Sequence, residues 1–213
     1  MKSISTISVF VALAIASGQF AQAKGKKEKG AAAPANPEAA KLTQEARDAA
    51  ANKDWNKAIE LYTQAMKHDQ KLSLNLSIAY QQRAFASAGE QKFPDAIKDF
   101  SEAIKLTPRE PRVYEQRAAM EIKTNELDKA LADYSEAIKL NPNEVQDYNY
   151  RAYLYELKSD LKKSMADTEK ALKLDPQNSN AMERKKRLQI RMQAQTPPPL
   201  PSQPIPAPPG GKP

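Results

Sequence analysis

The stretch FPDAIKDFSEAIKLTP at residues 93–108 recurs twice later in the chain, as LDKALADYSEAIKLNP (127–142) and LKKSMADTEKALKLDP (161–176). The proline that closes each copy lies 34 residues after the one before it. Within a copy, apolar residues follow one another at intervals of three, four and seven, as at Ile97, Phe100 and Ile104. This spacing is typical of an amphipathic helix and excludes strand alternation.

The residues upstream of each copy repeat with the same period. Tyr80, Arg83 and Ala84 recur as Tyr114, Arg117 and Ala118, and again as Tyr148, Arg151 and Ala152. A fainter copy, WNKAIELYTQAMKHD at 55–69, precedes them, and four extra residues enter at about 70–75. Each unit is therefore predicted to be a helix, a short turn and a second helix that ends before a proline, because proline cannot continue a helix.

This pattern resembles the tetratricopeptide repeat (TPR) family in its 34-residue period, in the small–aromatic–small order of Ala96, Phe100 and Ala103, and in its closing proline. The resemblance implies an all-α fold, a right-handed α-solenoid of four helix-turn-helix units over 39–178. The units are 39–72, 77–110, 111–144 and 145–178. The last unit departs from the pattern with Ser164 and Thr168 at the small and aromatic places. Residues 179–194 are predicted to form a helix that caps the solenoid.

The N-terminus has the layout of a secretory signal peptide. Lys2 precedes an apolar stretch at 7–16, and Ala21-Gln22-Ala23 offers the small residues that a signal peptidase accepts. We expect cleavage after Ala23, which leaves no integral membrane span and an exported protein, periplasmic or secreted. The alternative is an uncleaved anchor, although the apolar stretch is only about half of the ~20 residues that span a bilayer.

Two segments are predicted to be disordered. Residues 24–38 form a linker rich in lysine, alanine and proline with no apolar periodicity. Residues 195–213 form a proline-rich tail, which favours an extended polyproline II conformation. The tail is interpreted as a spacer or, alternatively, as a docking peptide.

The composition provides no catalytic machinery. The chain has no cysteine and one histidine, His68, and its six glycines form no phosphate-binding loop. Carboxylates alternate with lysines, as at Asp95, Lys98 and Asp99, which is typical of solvated helix faces. We therefore predict neither an enzyme nor a cofactor or metal site. The net charge of +7 comes from outside residues 39–182, where basic and acidic residues nearly balance, so nucleic acid is not expected as a partner.

The binding surface of a solenoid of this kind is its concave groove, formed by the first helix of each unit. In the fourth unit Tyr148, Ala152 and Tyr155 form the packed stripe, which leaves the opposite stripe for the groove. The same offsets in the other units predict the groove residues Arg47, Gln82, Phe85, Arg112, Gln116, Lys123, Gln146, Tyr150 and Tyr153. Aromatic and arginine side chains are frequent hot spots. Alternatively, Tyr150 and Tyr153 only pack against the neighbouring helix or the linker.

Some TPR proteins bind a C-terminal carboxylate with lysine, asparagine and arginine in the groove. The matching places here are Thr43, Arg47, Gln82, Arg112 and Gln116, with no asparagine among them. We therefore do not expect this chain to bind ligands of that subclass.

The sequence thus predicts an exported scaffold or adaptor that binds a protein or peptide segment in its groove and supports assembly of an envelope complex. The alternative is a structural or surface-associated protein whose repeats only space or oligomerise. In that case the tail and the basic cap would contact an anionic envelope by charge. The basic cap consists of Arg184, Lys185, Lys186, Arg187 and Arg191, which are expected mostly to face solvent.

Overall fold

A computed structural model describes residues 36–195 of the protein. The predicted signal peptide, nearly all of the predicted linker and the tail beyond residue 195 lie outside the described residues. The described part is built from α-helices and one 3₁₀ turn at Gln70–Leu72. The helices are α1 (Pro37–Ala51), α2 (Trp55–Met66), α3 (Ser73–Gly89), α4 (Phe93–Leu106), α5 (Pro111–Lys123), α6 (Leu127–Leu140), α7 (Val145–Leu157), α8 (Leu161–Leu174) and α9 (Ser179–Gln195).

From α1 to α8, each odd-numbered helix packs on the even-numbered helix that follows it, and each even-numbered helix packs on the next odd one, the last being α9. This stacking of helix pairs is the α-solenoid that the 34-residue period predicts. The four extra residues near 70–75 form the 3₁₀ turn and the first turn of α3, so α3 is 17 residues long where α5 and α7 have 13.

The last two residues of the predicted linker belong to helix α1 in the structure. Helix α1 begins at Pro37, inside the 24–38 segment that was expected to be disordered. The Asn36 side chain accepts hydrogen bonds from the backbone N–H groups of Glu38 (2.8 Å) and Ala39 (3.4 Å), and proline suits the first turn of a helix because its missing N–H would have no partner there. At the other end, α9 continues one residue beyond the predicted boundary.

The core is made of small residues that let the helices approach closely. They are fully buried at both predicted series of positions, Ala84, Ala118 and Ala152 in the first helices and Ala103, Ala137 and Ala171 in the second. In the last unit, Ser164 and Thr168 are buried as well and their hydroxyls are bonded. Ser164 Oγ donates to the Ala152 carbonyl at 2.8 Å and Thr168 Oγ1 to the Ser164 carbonyl at 2.7 Å, so the departures from the repeat pattern leave no unsatisfied group.

The two helices of each unit are joined by one recurrent turn. Lys53, Gln91, Asn125 and Ser159 all have positive φ, between 59° and 61°. After each of them, the next backbone N–H returns to a carbonyl five residues upstream, as from Asp160 to Tyr155 at 2.9 Å. This is the C-cap arrangement that usually uses glycine at the left-handed residue, and here other residues occupy it.

Arginine and aspartate form a second recurrent feature, between the helices of a unit. Arg83, Arg117 and Arg151 each donate two hydrogen bonds to the carboxylate 16 residues later, on Asp99, Asp133 and Asp167 respectively. All three aspartates are buried. The interpretation of Asp99 as part of a solvated face was therefore wrong, because its helix turns this carboxylate inward to meet Arg83.

Candidate protein-binding groove

The first helices carry exposed apolar and polar side chains at the predicted groove positions. Phe85 on α3 is 45% exposed and Tyr150 on α7 is 40% exposed. Of the other predicted groove residues, the exposed ones are Arg47, Arg112, Lys123 and Gln146, and the half-buried ones are Gln82, Gln116 and Tyr153.

Both exposed aromatic rings rest on a buried ring of a second helix. Phe85 meets Phe100 edge-to-face, with the ring centroids 5.4 Å apart, and Tyr150 stacks on Tyr134 at 5.3 Å. The two alternatives for Tyr150, packing on the neighbouring helix or facing the groove, are therefore compatible in this structure. One face of the ring is fixed by Tyr134, and a large part of the side chain stays open.

A cluster of carboxylates between α5 and α7, which we call the acidic cluster, was not predicted. It consists of Glu110, Glu115, Glu144 and Asp147. Asp147 is 1% exposed, and its Oδ2 has no hydrogen-bond partner. Burial, reinforced by repulsion from Glu115 and Glu144, raises the pKa of Asp147 to about 7. Burial and the charges of Glu144 and Glu110 likewise raise the pKa of Glu115, against the attraction of Arg112.

The repeat pattern could have identified Asp147 as unusual. The residues one and two periods upstream are Val113 and Ala79, and one period downstream is Ala181, all buried and apolar. A carboxylate at this place therefore breaks the pattern of the core. Gln116, a predicted groove residue on α5, has a buried Oε1 without a hydrogen-bond partner.

A second buried carboxylate lies inside the third unit. Glu121 is 3% exposed, with Oε1 3.8 Å from Arg117 Nε and with Oε2 unpartnered. Burial and the charge of Asp133 raise its pKa to about 7, more than Arg117 lowers it. Arg117 offsets only part of this effect because it already donates two short hydrogen bonds to Asp133.

The basic cap differs from its prediction. Arg184, expected to face solvent, is 9% exposed and its Nη1 donates to Asn149 at 3.4 Å. Arg187 donates to both oxygens of Glu156, at 2.9 and 3.0 Å, and Arg191 donates to Glu156 Oε1 at 2.9 Å. Three arginines of α9 thus converge on one carboxylate of α7, and these hydrogen bonds lower its pKa. Lys185 pairs with Glu169 at 3.1 Å, and Lys186 alone of the five is exposed without an ion pair among the described residues.

Neither a metal centre nor a membrane span occurs in the described part. Across residues 36–195, no three acidic, histidine or cysteine side chains are grouped so that they could hold a metal ion. The helices in the same range are too short or too polar to cross a bilayer.

The tetratricopeptide repeat family model matches residues 86–145 and, in an overlapping second match, residues 121–179. The chain contains tetratricopeptide repeats over residues 86–179. No curated protein matches this TPR protein significantly. Solved TPR structures do match it, and the Arabidopsis OM64 TPR domain is 27% identical over 55% of this chain and 98% of that domain, with a TM-score of 0.51.

Two further structures are more distant in sequence and share the fold. The first TPR of Spaghetti (RPAP3), bound to the HSP90 peptide SRMEEVD, is 18% identical over 56% of this chain and 95% of that one, with a TM-score of 0.53. YrrB, described as a TPR protein with an unusual peptide-binding site, is 14% identical over 72% of this chain and 77% of its own, with a TM-score of 0.55.

Proposed function

We propose that this TPR protein is a non-enzymatic scaffold that binds a segment of another protein along the groove face of its first helices. The observation that carries the proposal is the support of Phe85 and Tyr150 by Phe100 and Tyr134. An exposed ring that is already held by a buried one loses little freedom when a ligand covers it, so it contributes more to affinity than a mobile side chain does. Hot spots of protein interfaces are enriched in such residues.

Polar groups beside the rings suit the backbone of a bound segment. Arg112, Lys123 and Gln146 are exposed on α5 and α7, where they can donate hydrogen bonds to peptide carbonyls or acidic side chains. The peptide-bound RPAP3 domain and YrrB use the same fold for peptides, which supports this class of ligand. The carboxylate-binding residue set of some TPR proteins is incomplete here, so we do not propose the HSP90 peptide itself.

The proposal extends to the place of action. The signal-like sequence over residues 1–23 supports an exported protein, and we propose that the scaffold helps to assemble a complex of the cell envelope. Protein N-terminal sequencing of the cell-purified chain tests export, because a mature N-terminus at Lys24 is expected. A chain that keeps Met1 and stays in the cytoplasm contradicts it.

The alternative, envelope contact by the basic cap, has lost part of its support. Arg184, Arg187 and Arg191 surround Glu156, which offsets part of their charge, although the Arg187 and Arg191 side chains stay 46% and 40% exposed. Fewer free cations remain on α9 to attract an anionic surface than the sequence suggested.

Site-specific photo-crosslinking tests the groove. A crosslinking amino acid replaces Phe85 in one full-length variant and Tyr150 in another, and Lys98, exposed on the second helix α4, provides the matched control. We expect one protein to be crosslinked in cells from both groove positions and not from Lys98, and Y150A to abolish its capture from position 85. Equal capture from all three positions, or none from the groove, contradicts the proposal.

A further inference from the structure

The acidic cluster points to one kind of side chain in the bound segment. We propose that the groove face of α5 and α7 selects a segment with a lysine or arginine, whose cationic group docks against the half-buried Glu115 and offsets the charge of the buried, unpartnered carboxylate of Asp147. This inference rests on the proposed function and names the chemistry of its ligand.

The first argument is the unbalanced charge. The pKa of Asp147 responds to Glu115 and Glu144, and that of Glu115 responds to Glu144 and Glu110, so the four carboxylates interact. The two cations near them leave the cluster negative. Arg151 donates hydrogen bonds from Nε and from Nη2 to Asp167, each at 2.8 Å, so its charge is already paired with that carboxylate.

Arg112 does not neutralise the cluster either. It lies one helical turn from Glu115 and its charge lowers the pKa of that carboxyl, but it is exposed and forms no ion pair within residues 36–195. One solvent-exposed cation does not balance the charge of four interacting carboxylates, so the cluster still attracts a second positive charge.

The second argument is the lack of a donor. Asp147 Oδ2 is a buried acceptor without a hydrogen-bond partner. A buried acceptor that lacks a donor is unfavourable by itself, and native proteins rarely keep one without a reason. A positive charge close to such an acceptor offsets part of this cost, and an ammonium or guanidinium group at Glu115 brings that charge together with three or more N–H donors.

An inorganic cation fits less well. No three acidic side chains of the described part are grouped as a metal site. An organic cation needs only one or two carboxylates, and its alkyl stem can lie on the exposed face of Tyr150, which stacks on Tyr134 beneath it. A basic residue next to an apolar one is therefore the expected motif in the bound segment.

A peptide library tests the inference and separates it from the proposed function. The full-length chain is incubated at pH 8 with a bead library of capped random heptapeptides, and the retained sequences are compared for wild type, E115Q and D147N. Selection of a common motif that Y150A abolishes supports groove binding. Enrichment of lysine or arginine at one position of that motif supports recognition of this residue by the acidic cluster.

Measured affinities then quantify the effect. For the best selected peptide, we expect replacement of its basic residue by glutamine to weaken binding at least tenfold. E115Q and D147N should each weaken binding of the unchanged peptide about five- to tenfold. The glutamine peptide should be bound equally by all three proteins. E60Q, which removes an exposed carboxylate of the second helix α2, provides the matched control and should change nothing. E115K should favour glutamate over lysine in the peptide.

The outcomes are distinct. A selected groove motif without a basic residue, or lysine selection that E115Q and D147N leave unchanged, overturns the inference while groove binding stands. Failure to retain any peptide overturns both. Because amide variants of buried carboxyls can alter folding, each variant is compared with wild type by circular dichroism and thermal unfolding, and E115Q, on a half-buried residue, serves as the better-tolerated of the two.

Discussion

The guanidinium of Arg117 donates to both carboxylate oxygens of Asp133, with Nε–Oδ2 and Nη2–Oδ1 distances of 2.7 Å each. Its third nitrogen, Nη1, donates to Ser101 Oγ at 3.0 Å, on the second helix of the preceding unit. One side chain thus connects both helices of its own unit and the unit before. Arg151 repeats the arrangement with Asp167 and Ser135, so adjacent repeats are coupled by the same contact.

Removing Asp133 should therefore destabilise more than its own unit. We expect D133A to lower the free energy of unfolding by about 2–3 kcal/mol, because Arg117 is left partly buried without its counter-ion. R117A should cost a similar amount, and the double variant should cost clearly less than the sum of the two. Urea denaturation of the three variants measures these values.

The matched control is a pair on the surface of the same helix. Lys139 Nζ lies 3.0 Å from Glu136 Oε1, and the lysine is largely exposed. K139A should change stability by less than about 0.5 kcal/mol, as is usual for exposed ion pairs. Equal effects of D133A and K139A would show that the buried pair does not couple the repeats.

The four left-handed turn residues offer a way to stabilise the protein. Ser159 has φ of 61°, where a side chain with Cβ is disfavoured by about 1 kcal/mol relative to glycine. S159G and Q91G should each raise the free energy of unfolding by roughly 0.5–1 kcal/mol, which a rise in melting temperature would reveal.

Asn125 occupies the same place in the third unit, at φ of 61°, and provides the comparison. Asparagine tolerates this conformation better than serine or glutamine. N125G should consequently gain less than S159G. Lower stability of all the glycine variants would indicate that the added freedom of the unfolded chain outweighs the relief at the turn.

The buried carboxyl of Glu121 should make stability depend on pH. Its pKa is about 7 in the folded protein, above the ordinary value of 4.5. Below about pH 4 the group is protonated in both the folded and the unfolded chain, and its contribution to stability is fully present. As the pH rises towards 7 the unfolded chain loses its proton first, so this contribution is lost.

E121Q removes that titration and keeps the shape of the side chain. We expect the variant to be about 2 kcal/mol more stable than wild type at pH 8, and the difference to shrink to near zero at pH 4. Chemical denaturation of both proteins over this pH range measures it. Curves that stay parallel from pH 4 to pH 8 would contradict the raised pKa.

The helices and the alanine core follow from the sequence because the 34-residue period imposes the same local pattern and packing on each unit. The period also contained the arginine–aspartate pairs, since Arg83 and Asp99 both recur at that spacing. Their pairing was missed because composition alone does not distinguish a buried aspartate from one on a solvated face. The period thus locates such a pair, but burial of its members is visible only in the folded chain.

Contacts that do not repeat were harder to predict. Asp147 breaks a series of apolar residues, but where its carboxylate lies depends on how α7 packs on its neighbours. The contacts of Arg184, Arg187 and Arg191 with Glu156 join residues about 30 apart in the chain, and they have no counterpart in the inner units. A capping helix has a single neighbour, so its contacts are specific to that end.

Glu156 should consequently hold α9 in place. Its side chain is 10% exposed, and Arg187 and Arg191 donate to it at 2.9 Å. E156Q keeps one acceptor and removes the charge, which leaves Arg184 buried without a carboxylate. Because a solenoid is stabilised by nearest-neighbour interfaces, the loss should appear first at this end. We expect amide hydrogen exchange over 179–195 to accelerate at least tenfold, while exchange in α3 and α4 stays unchanged.

E183Q, on an exposed carboxylate 3.9 Å from Arg187, provides the matched control and should leave the exchange of α9 as it is. If exchange in E156Q is faster throughout the protein, or if neither variant changes the exchange of α9, apolar contacts of Leu188 and Ala181 hold the cap instead.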